Sequence, residues 1–331
     1  MDPLTHTLTG LALSRAGLKR CCPYATGVVL LAAIIPDVEV ASALWGETAY
    51  LHWHRHITHT LLMMPVMALA AVLLARLAVR KPLNWPRAYA LSLLGLASHL
   101  LLDWANPYGV RFLLPFSGQW FRLDITAVID FWIWAVLLVA LLGPALSRLV
   151  SSEIGARPGS GRGLAIFALL LLLCYQSGRY VLHQRAAAVL DSRRYEGSVP
   201  TRVAAFPGSW NPFCWRGLAE TQGSYSIHEV NLLREFDPSR GLVLYKPEPS
   251  PAQAAAWNAA AQTPAFRAFS QFSQYPLRRF IPSEVPEQGL CVEVMDLRYG
   301  SPLLPQFVAT AMVDPQGRVR ESRFAFSPRS P

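Results

Sequence analysis

Apolar residues are grouped in long blocks before position 183, and this grouping predicts membrane-spanning helices. A bilayer core about 30 Å thick needs about 20 helical residues. Leu61–Val79 and Leu164–Leu182 approach this length on their own, and the other blocks reach it when flanking residues are included. Those other blocks are Ala25–Ile35, Ala88–Leu102 and Phe131–Leu146. Thr7–Ala16 is shorter and predicts a half-span or a re-entrant helix.

From about Gln184 the pattern changes to short apolar or alternating segments bounded by Gly, Pro and Asp, which is typical of β-strands. One helix is predicted at Ala252–Phe272. The predicted strands are Thr201–Phe206, Cys214–Glu220, Ser224–Leu232, Gly241–Tyr245, Leu290–Leu297, Phe307–Val313 and Arg318–Phe326. We therefore expect an all-α membrane helical bundle of about five to six helices over residues 1–183. A smaller α+β or mainly β extracytoplasmic domain would follow over residues 184–331.

Composition supports a membrane protein. Hydrophobic residues make up 52% of the chain and charged residues only 15%, against about 25% charged in a typical soluble protein. So few charged residues cannot cover a soluble surface of this size. We therefore expect lipid to cover part of the chain.

The net charge of +9 is unevenly distributed. Basic residues concentrate in alternate connections between the predicted helices, which puts those connections in the cytoplasm. They are Arg15, Lys19, Arg20, Arg76, Arg80, Lys81, Arg87, Arg148, Arg157 and Arg162, the last two near the predicted loop Ser151–Gly163. The opposite connections hold only Arg55, Arg111 and Arg122. This bias predicts a multi-pass membrane protein, with the C-terminal domain on the outer side, which would be the periplasm of a bacterium.

Two further composition features narrow the expectations. No Lys/Arg run is interleaved with aromatic residues, so nucleic acid is an unlikely partner. The five cysteines show no Cys-x-x-Cys spacing. Cys214 and Cys291 could pair if their compartment is oxidising, and two cysteines alone leave this open.

Histidine and aspartate are concentrated where the predicted helices end. Six of the eight histidines precede residue 100, and ionisable groups in an apolar bundle are functional candidates. Because helix directions alternate, all of these helix ends lie on one membrane face, which is also the predicted periplasmic face. The residues concerned are His6, Asp37, His54, His59, His99 and Asp103, with Asp124 and Asp130 nearby.

This residue set favours a metal site. His99 and Asp103 are four positions apart and therefore neighbours on one helical face. Imidazole nitrogen and carboxylate oxygen suit Zn²⁺ or another divalent ion. His54 could orient a ligand or bind substrate. Asp124 and Asp130 could pair with arginines or cap the fifth helix instead of binding metal.

Several ordered motifs resemble the YdjM-like family over roughly residues 1–150. They are Met1-Asp-Pro-Leu-Thr-His6, Ile35-Pro-Asp37, His54-Arg-His-Ile-Thr-His59, Ser98-His-Leu-Leu-Leu-Asp103 and Asn106-Pro-Tyr-Gly109. Members are described as inner-membrane-associated metal-dependent hydrolases, some of them LexA-binding or LexA-regulated, so the resemblance implies the bacterial inner membrane. The tail from Tyr195, including Asn211-Pro-Phe-Cys-Trp215, resembles the C-terminal extension of longer members.

The order of these residues is also similar to that of zinc-dependent phospholipase C and related single-strand nucleases. This resemblance implies that five residues bind one or two zinc ions, with Asp103 as a candidate bridge between two ions. The implied ligands are His6, Asp37, His59, His99 and Asp103. The second His-x-x-x-Asp motif of those enzymes is missing here.

Three functions compete at this stage. The first is a membrane-bound metal-dependent hydrolase that cleaves a phosphoester or lipid-like substrate with a metal-activated water, with Asp103, His54 and Arg55 as catalytic residues. Arg111 is an alternative to Arg55 for holding the phosphate. The second is a non-enzymatic metal-binding, regulatory or scaffold protein with a structural His/Asp site. A transporter ranks third, because its ionisable residues should lie near the middle of the bilayer.

The lipid bilayer and a small-molecule or lipid substrate are the predicted partners, and the sequence does not identify a protein partner.

Overall fold

The computed structural model describes residues 1–79, 82–153, 161–282 and 289–327. Most of the predicted loop Ser151–Gly163 lies outside the described residues, as do Arg80, Lys81 and Arg157. The N-terminal helices are α1 (Pro3–Ala16), α2 (Ala25–Ile34), α3 (Glu47–Trp53), α4 (Met64–Val79), α5 (Trp85–Ala105), α6 (Phe131–Glu153) and α7 (Arg162–Asp191). Two 3-10 segments, Ile35–Trp45 and Ile57–His59, follow α2 and α3.

Three helical segments of the described chain are long and apolar enough to cross a membrane: Ala25–Trp45, Trp85–Ala105 and Arg162–Asp191. A fourth is added if the segment Glu47–His59 and α4, which meet at a 91° bend, count as one broken span. The apolar part of α6 is shorter than a full span. The structure therefore supports three to four spans, fewer than the helix number that the sequence predicted.

Small residues bring α1, α2 and α5 close together. A Cβ atom added at Gly95 of α5 would lie 2.8 Å from Ala32 Cβ and 2.9 Å from Val29 O. A Cβ atom added at Gly10 of α1 would lie 2.9 Å from Ala33 Cβ. Backbones can approach this closely only where side chains are small. The contact brings the C-terminal end of α2 against the histidine-bearing segments of α1 and α5.

The C-terminal region contains two antiparallel four-stranded sheets, each in simple sequence order. The strands of the first sheet are β1 (Arg202–Pro207), β2 (Cys214–Glu220), β3 (Ser224–Asn231) and β4 (Leu242–Tyr245). The strands of the second are β5 (Pro276–Pro282), β6 (Leu290–Asp296), β7 (Val308–Val313) and β8 (Val319–Ala325). Helices α8 (Pro251–Ala261) and α9 (Pro264–Phe272) connect the sheets.

Two predictions about this region were wrong in detail. The single helix expected at Ala252–Phe272 is two helices, because Thr263 caps the start of α9 and Pro264 occupies its first position. Strand β5 was not predicted. Cys214 and Cys291 are free thiols on strands of different sheets, so the disulfide that had been left open is not formed. The predicted boundary at residues 183 and 184 falls inside α7 and stays a prediction.

The two sheets pack in layers with the helices. Helix α7 packs on the first sheet through Leu190 and Trp215. The two sheets meet through a cluster that includes Leu218 and Met295. Helix α9 packs on the second sheet through Phe269 and its neighbours.

The C-terminal domain is attached to one end of the helical part. Leu51 of α3 and Tyr108, which follows α5, are buried in the same core as Phe269 and Phe272 of α9. Arg298 is buried and ion-paired to Asp296, and its guanidinium also donates to the carbonyl oxygen of Pro107 at 3.0 Å. This end of the helical part is also where the predicted metal residues lie.

Candidate metal centre

Four of the predicted residues converge into one cluster that could hold a metal ion: Asp37, His59, His99 and Asp103. They come from three separate elements, the two 3-10 segments and α5. The side chains of His59, His99 and Asp103 are fully buried, whereas that of Asp37 is 14% exposed. Asp37 is therefore the side of the cluster that is open to solvent.

The spacing of the four donor atoms matches a tetrahedral metal site. His59 Nε2 and His99 Nε2 are 3.1 Å apart, and Asp103 Oδ2 lies 3.4 and 3.3 Å from them. Asp37 Oδ1 lies 3.6 and 3.8 Å from the same two nitrogens. Ligands at about 2.0–2.1 Å from a tetrahedral Zn²⁺ are about 3.4 Å apart. The side chains are thus already near ligand distance of a common centre.

The hydrogen bond of His99 orients its imidazole for metal binding. Its Nδ1 lies 2.7 Å from the carbonyl oxygen of Ala33, so this nitrogen carries the proton and donates. That carbonyl is free because the chain turns into a 3-10 helix at Ile35, where its i+3 partner is Pro36, which has no N–H. The unprotonated Nε2 of His99 therefore faces the cluster.

His59 is oriented in the same way by Thr58 and Glu39. The Thr58 hydroxyl donates to the carbonyl oxygen of Pro36, so its oxygen accepts from His59 Nδ1 at 3.1 Å. Glu39 Oε2 lies 3.3 Å from the same nitrogen. The carboxylate of Glu39 is held by the backbone N–H groups of His56 and Thr58, both at 3.0 Å. From the sequence, Glu39 was one of the carboxylates expected at this membrane face, but it was not assigned a specific role.

Asp103 divides its two oxygens between different partners. Oδ1 accepts from Arg55 Nη2 at 2.7 Å and from the N-terminal amine of Met1. Oδ2 faces the two Nε2 atoms and has no hydrogen-bond partner in the described part of the chain. Two imidazole lone pairs and an unpaired carboxylate oxygen repel one another unless a cation lies between them. This donor set therefore fits a divalent cation.

His6, the fifth predicted ligand, lies next to the cluster. Its ring stacks on His99 at 3.8 Å between ring centroids, and its Nε2 is 3.3 Å from Asp103 Oδ1. Neither ring nitrogen makes a hydrogen bond within the described residues. Its assignment as a ligand stays a prediction.

Arg55 is held by the segment that follows α5. Its Nη1 donates to Asn106 Oδ1 and to the carbonyl oxygen of Gly109, both at 3.0 Å. Gly109 has a φ of +78°, and a Cβ atom there would lie 2.7 Å from Phe121 O, so glycine is required. The Asn106-Pro-Tyr-Gly109 motif thus fixes Arg55, and through it Asp103. The catalytic roles predicted for His54, Arg55 and Asp103 stay predictions.

A cavity of about 520 Å³, which we term the interdomain pocket, reaches the cluster at Asp37. His54 and Arg55 also line it, and His54 Nδ1 has no hydrogen-bond partner within the described residues. Other lining residues come from α3, the loop after α5 and the C-terminal domain, and sequence reasoning missed them. They include Tyr50, Tyr108, Val128, Ile129, Tyr299, Phe307 and Phe326.

The remaining predicted carboxylates have structural partners. Asp124 forms an ion pair with Arg122. Asp130 caps α6, where its Oδ1 accepts from the backbone N–H of Trp132 at 3.1 Å. It also accepts from the hydroxyl of Tyr175. These are the alternatives to metal binding that the sequence had left open.

Comparisons with known proteins find a match to the C-terminal part of the chain and one curated relative. The model of the YfhP C-terminal alpha/beta plait domain matches residues 255–330, which hold α8, α9 and the second sheet. The uncharacterized protein YfhP of Bacillus subtilis (strain 168) is 27% identical over 154 residues, or 43% of this chain. The match covers 45% of that protein's length. No solved structure matches.

The N-terminal match is longer. The family model described as YdjM inner membrane protein matches residues 1–186, more than half of the chain and all of the cluster residues. It confirms the resemblance drawn from the histidine and aspartate motifs. The chain belongs to the YdjM inner membrane protein family.

Proposed function

We propose that the chain is a membrane-bound metal-dependent hydrolase acting on a phosphoester or lipid-like substrate. One observation carries the proposal: a four-donor cluster with inward-facing lone pairs meets a pocket of small-molecule size at Asp37. When bound, a divalent ion supplies Lewis acidity and activates water near neutral pH. Zn²⁺ suits two imidazoles and two carboxylates.

We assign the surrounding residues supporting roles. Asp37, His59, His99 and Asp103 would hold one ion, because the second oxygen of Asp103 already accepts from the guanidinium of Arg55. Arg55 balances the charge of Asp103. His54 lines the pocket with a free Nδ1 and could exchange a proton with substrate or water.

We further propose that the site and the C-terminal domain face the periplasm. The support is the excess of basic residues in the connections at the other end of the helical part, where Arg162 Nε donates to Ala16 O at 2.9 Å. An alkaline phosphatase fusion at the C-terminus should be active. A fusion near residue 155 should be inactive, and the reverse pattern contradicts this orientation.

A structural or regulatory metal site is the second candidate, and burial favours it. The side chains of His59, His99 and Asp103 are fully buried, and structural zinc sites are closed whereas catalytic ones keep an open position. Only Asp37 gives the cluster access to the pocket. An experiment therefore has to distinguish a metal site that is needed for hydrolysis from one that is needed for the stability of the fold.

The test uses the purified full-length protein with His99→Ala and, as a matched control, His52→Ala from outside the cluster. We expect about one metal ion per chain in the wild type and in His52→Ala, and a loss in His99→Ala. The metal affinity of His99→Ala should fall by more than the ~10–100-fold that is lost when a residue that only orients a metal ligand is replaced.

Hydrolysis of bis-p-nitrophenyl phosphate and of a fluorescent phospholipid is measured on the same samples, with thermal unfolding. Loss of hydrolysis in folded His99→Ala protein supports the hydrolase. A wild type that binds metal, hydrolyses neither compound and loses thermal stability in His99→Ala supports the structural site. A wild type that binds no metal overturns both.

A further inference from the structure

One wall of the interdomain pocket belongs to the C-terminal domain. Tyr299 follows β6, Phe307 precedes β7 and Phe326 follows β8. The rings of Tyr299 and Phe307 stack at 4.2 Å, and Phe326 meets Phe307 edge-on at 5.0 Å. We term these three residues the aromatic wall. It is continuous with the helical part, because Tyr50 of α3 contacts Phe326 at 5.4 Å.

The backbone at this wall is held in an uncommon conformation. Phe307 has a φ of +51°, which bulky residues rarely adopt and which costs about 1–3 kcal/mol. Its ring is fixed on the other side by stacking on Phe272 at 5.3 Å. Arg55, which lines the same pocket, also has a positive φ of 53°. Such positions concentrate at ligand sites.

Hydrogen-bonding atoms of the pocket residues lack partners. The hydroxyls of Tyr108 and Tyr299 and the Nε of Arg55 are buried and make no hydrogen bond within the described chain. Buried polar atoms normally have partners, so these three suggest a ligand. Burial raises the pKa of Tyr299 to about 12 and raises that of Tyr108 as well. Both phenols are therefore donors at neutral pH, and together with a guanidinium they suit anionic oxygens.

Another side of the pocket borders exposed apolar surface. Ile129 lines the pocket and is 42% exposed. Pro3 also lines it, and the next residue, Leu4, is 43% exposed. Trp132, three positions after Ile129, is 51% exposed and is the kind of residue that lies at a membrane interface. A ligand with an apolar part can therefore reach the pocket from lipid.

We propose that the aromatic wall selects the substrate: its phenylalanine rings bind the apolar part of an amphiphile, whose phosphoryl group lies against Arg55 and the hydroxyls of Tyr108 and Tyr299. The inference deepens the proposed function and rests on it for the reaction at the head group. Binding of the amphiphile does not depend on catalysis. The C-terminal domain is then the specificity element of the site.

Binding is tested with hexylphosphonate and methylphosphonate, which share a head group and differ in their apolar part. Full-length protein in lipid nanodiscs is titrated by calorimetry, and titration of empty nanodiscs is subtracted. We expect hexylphosphonate to bind at least about tenfold more tightly, since several methylene groups are buried. Phe307→Ala should remove most of this preference, so that the two phosphonates bind with similar affinity. Phe326→Leu, the milder variant, should reduce the preference in a folded protein.

Tyr299→Phe tests the head-group contact separately. It should weaken both phosphonates equally, by about tenfold, because a hydrogen bond to a charged oxygen is lost. Tyr245→Phe is the matched control, since that hydroxyl is on the surface and bonds Glu196. Phe116→Ala is the control for Phe307→Ala, because Phe116 is 85% exposed. Neither control should change either affinity.

The outcomes separate this inference from the proposed function. A hexyl preference that Phe326→Leu and Phe307→Ala leave intact in folded protein overturns the inference, as does equal binding of the two phosphonates. If the protein hydrolyses methyl p-nitrophenyl phosphate but binds the two phosphonates equally, the proposed function stands and the role of the aromatic wall is rejected. If the preference for hexylphosphonate depends on the aromatic wall but hexyl p-nitrophenyl phosphate is not hydrolysed, the role of the aromatic wall stands and the hydrolase is rejected.

Discussion

The interdomain pocket has two unlike sides, and they are built by different physics. On the metal side, buried charged and polar groups hold one another: Asp103 binds Arg55, and Glu39 orients His59. On the other side, Phe307 and Tyr299 are placed by ring packing. A buried charge that loses its partner is costly, whereas an apolar wall can repack at a smaller cost. The metal side should therefore tolerate substitution less well.

A buried ion pair contributes to the contact between the two sides, in addition to their shared apolar core. Arg298 binds Asp296 of β6 at 2.9 Å and also donates to the backbone oxygens of Pro107 and Phe272. Tyr108, the next residue after Pro107, lies under Arg55, with the guanidinium 4.7 Å from its ring centre. The position of the aromatic wall relative to the metal cluster therefore depends on Arg298.

The largest effect that we expect comes from Arg298→Met. The change leaves Asp296 charged, buried and unpaired, which should cost about 3–5 kcal/mol of unfolding free energy. The loss should fall on the C-terminal domain, and the metal content should stay near that of the wild type, because the four cluster residues belong to the helical part. The stability of the C-terminal domain is measured by thermal unfolding and limited proteolysis, and the metal content is measured on the same sample.

A double variant provides the control. Asp296→Leu combined with Arg298→Met removes both charges and should recover most of the lost stability. If metal content falls together with C-terminal stability in Arg298→Met, the two sides are one cooperative unit and the contrast between them fails.

A smaller effect is expected on the metal side from Glu39→Gln. The amide keeps the shape of the side chain but removes the negative charge beside His59 Nδ1, so metal affinity should fall about 10–100-fold. Competition with a chelator of known affinity measures the change. Glu47→Gln, at an exposed position on α3, is the control and should behave like the wild type. An unchanged affinity in Glu39→Gln would mean that Thr58 alone orients His59.

The metal side was largely predictable from sequence, and the aromatic wall was not. Histidine and aspartate are rare in apolar helices, so His59, His99 and Asp103 are conspicuous, and alternating helix direction brings them together. Tyr299 and Phe307 have the same pattern as ordinary core residues of a β-domain. Their place in the pocket depends on how that domain packs on α3 and Tyr108, which no local pattern contains.

The fold shows the same division. The apolar blocks predicted the N-terminal helices except α3, and alternation predicted seven of the eight strands in the described residues, because local periodicity reports burial. Strand β5 was missed because Pro276, Arg278, Arg279 and Pro282 interrupt its apolar residues. The break between α8 and α9 depends on the cap at Thr263, a signal shorter than the helical pattern around it.

The smallest expected effect is a pH dependence confined to the C-terminal side. Burial alone would raise the pKa of Asp296, but the guanidinium of Arg298 and its hydrogen bonds hold it below its usual range. A carboxyl whose folded pKa is lowered contributes stability above its unfolded pKa of about 3.9, and this is lost as the pH falls towards the folded value. Stability of the C-terminal domain should therefore be constant above about pH 4 and fall as the pH is lowered further towards the folded pKa of Asp296. Thermal unfolding of the wild type and of the Asp296→Leu/Arg298→Met variant measures this difference. An equal acid loss in both proteins would show that the Asp296–Arg298 ion pair is not its source.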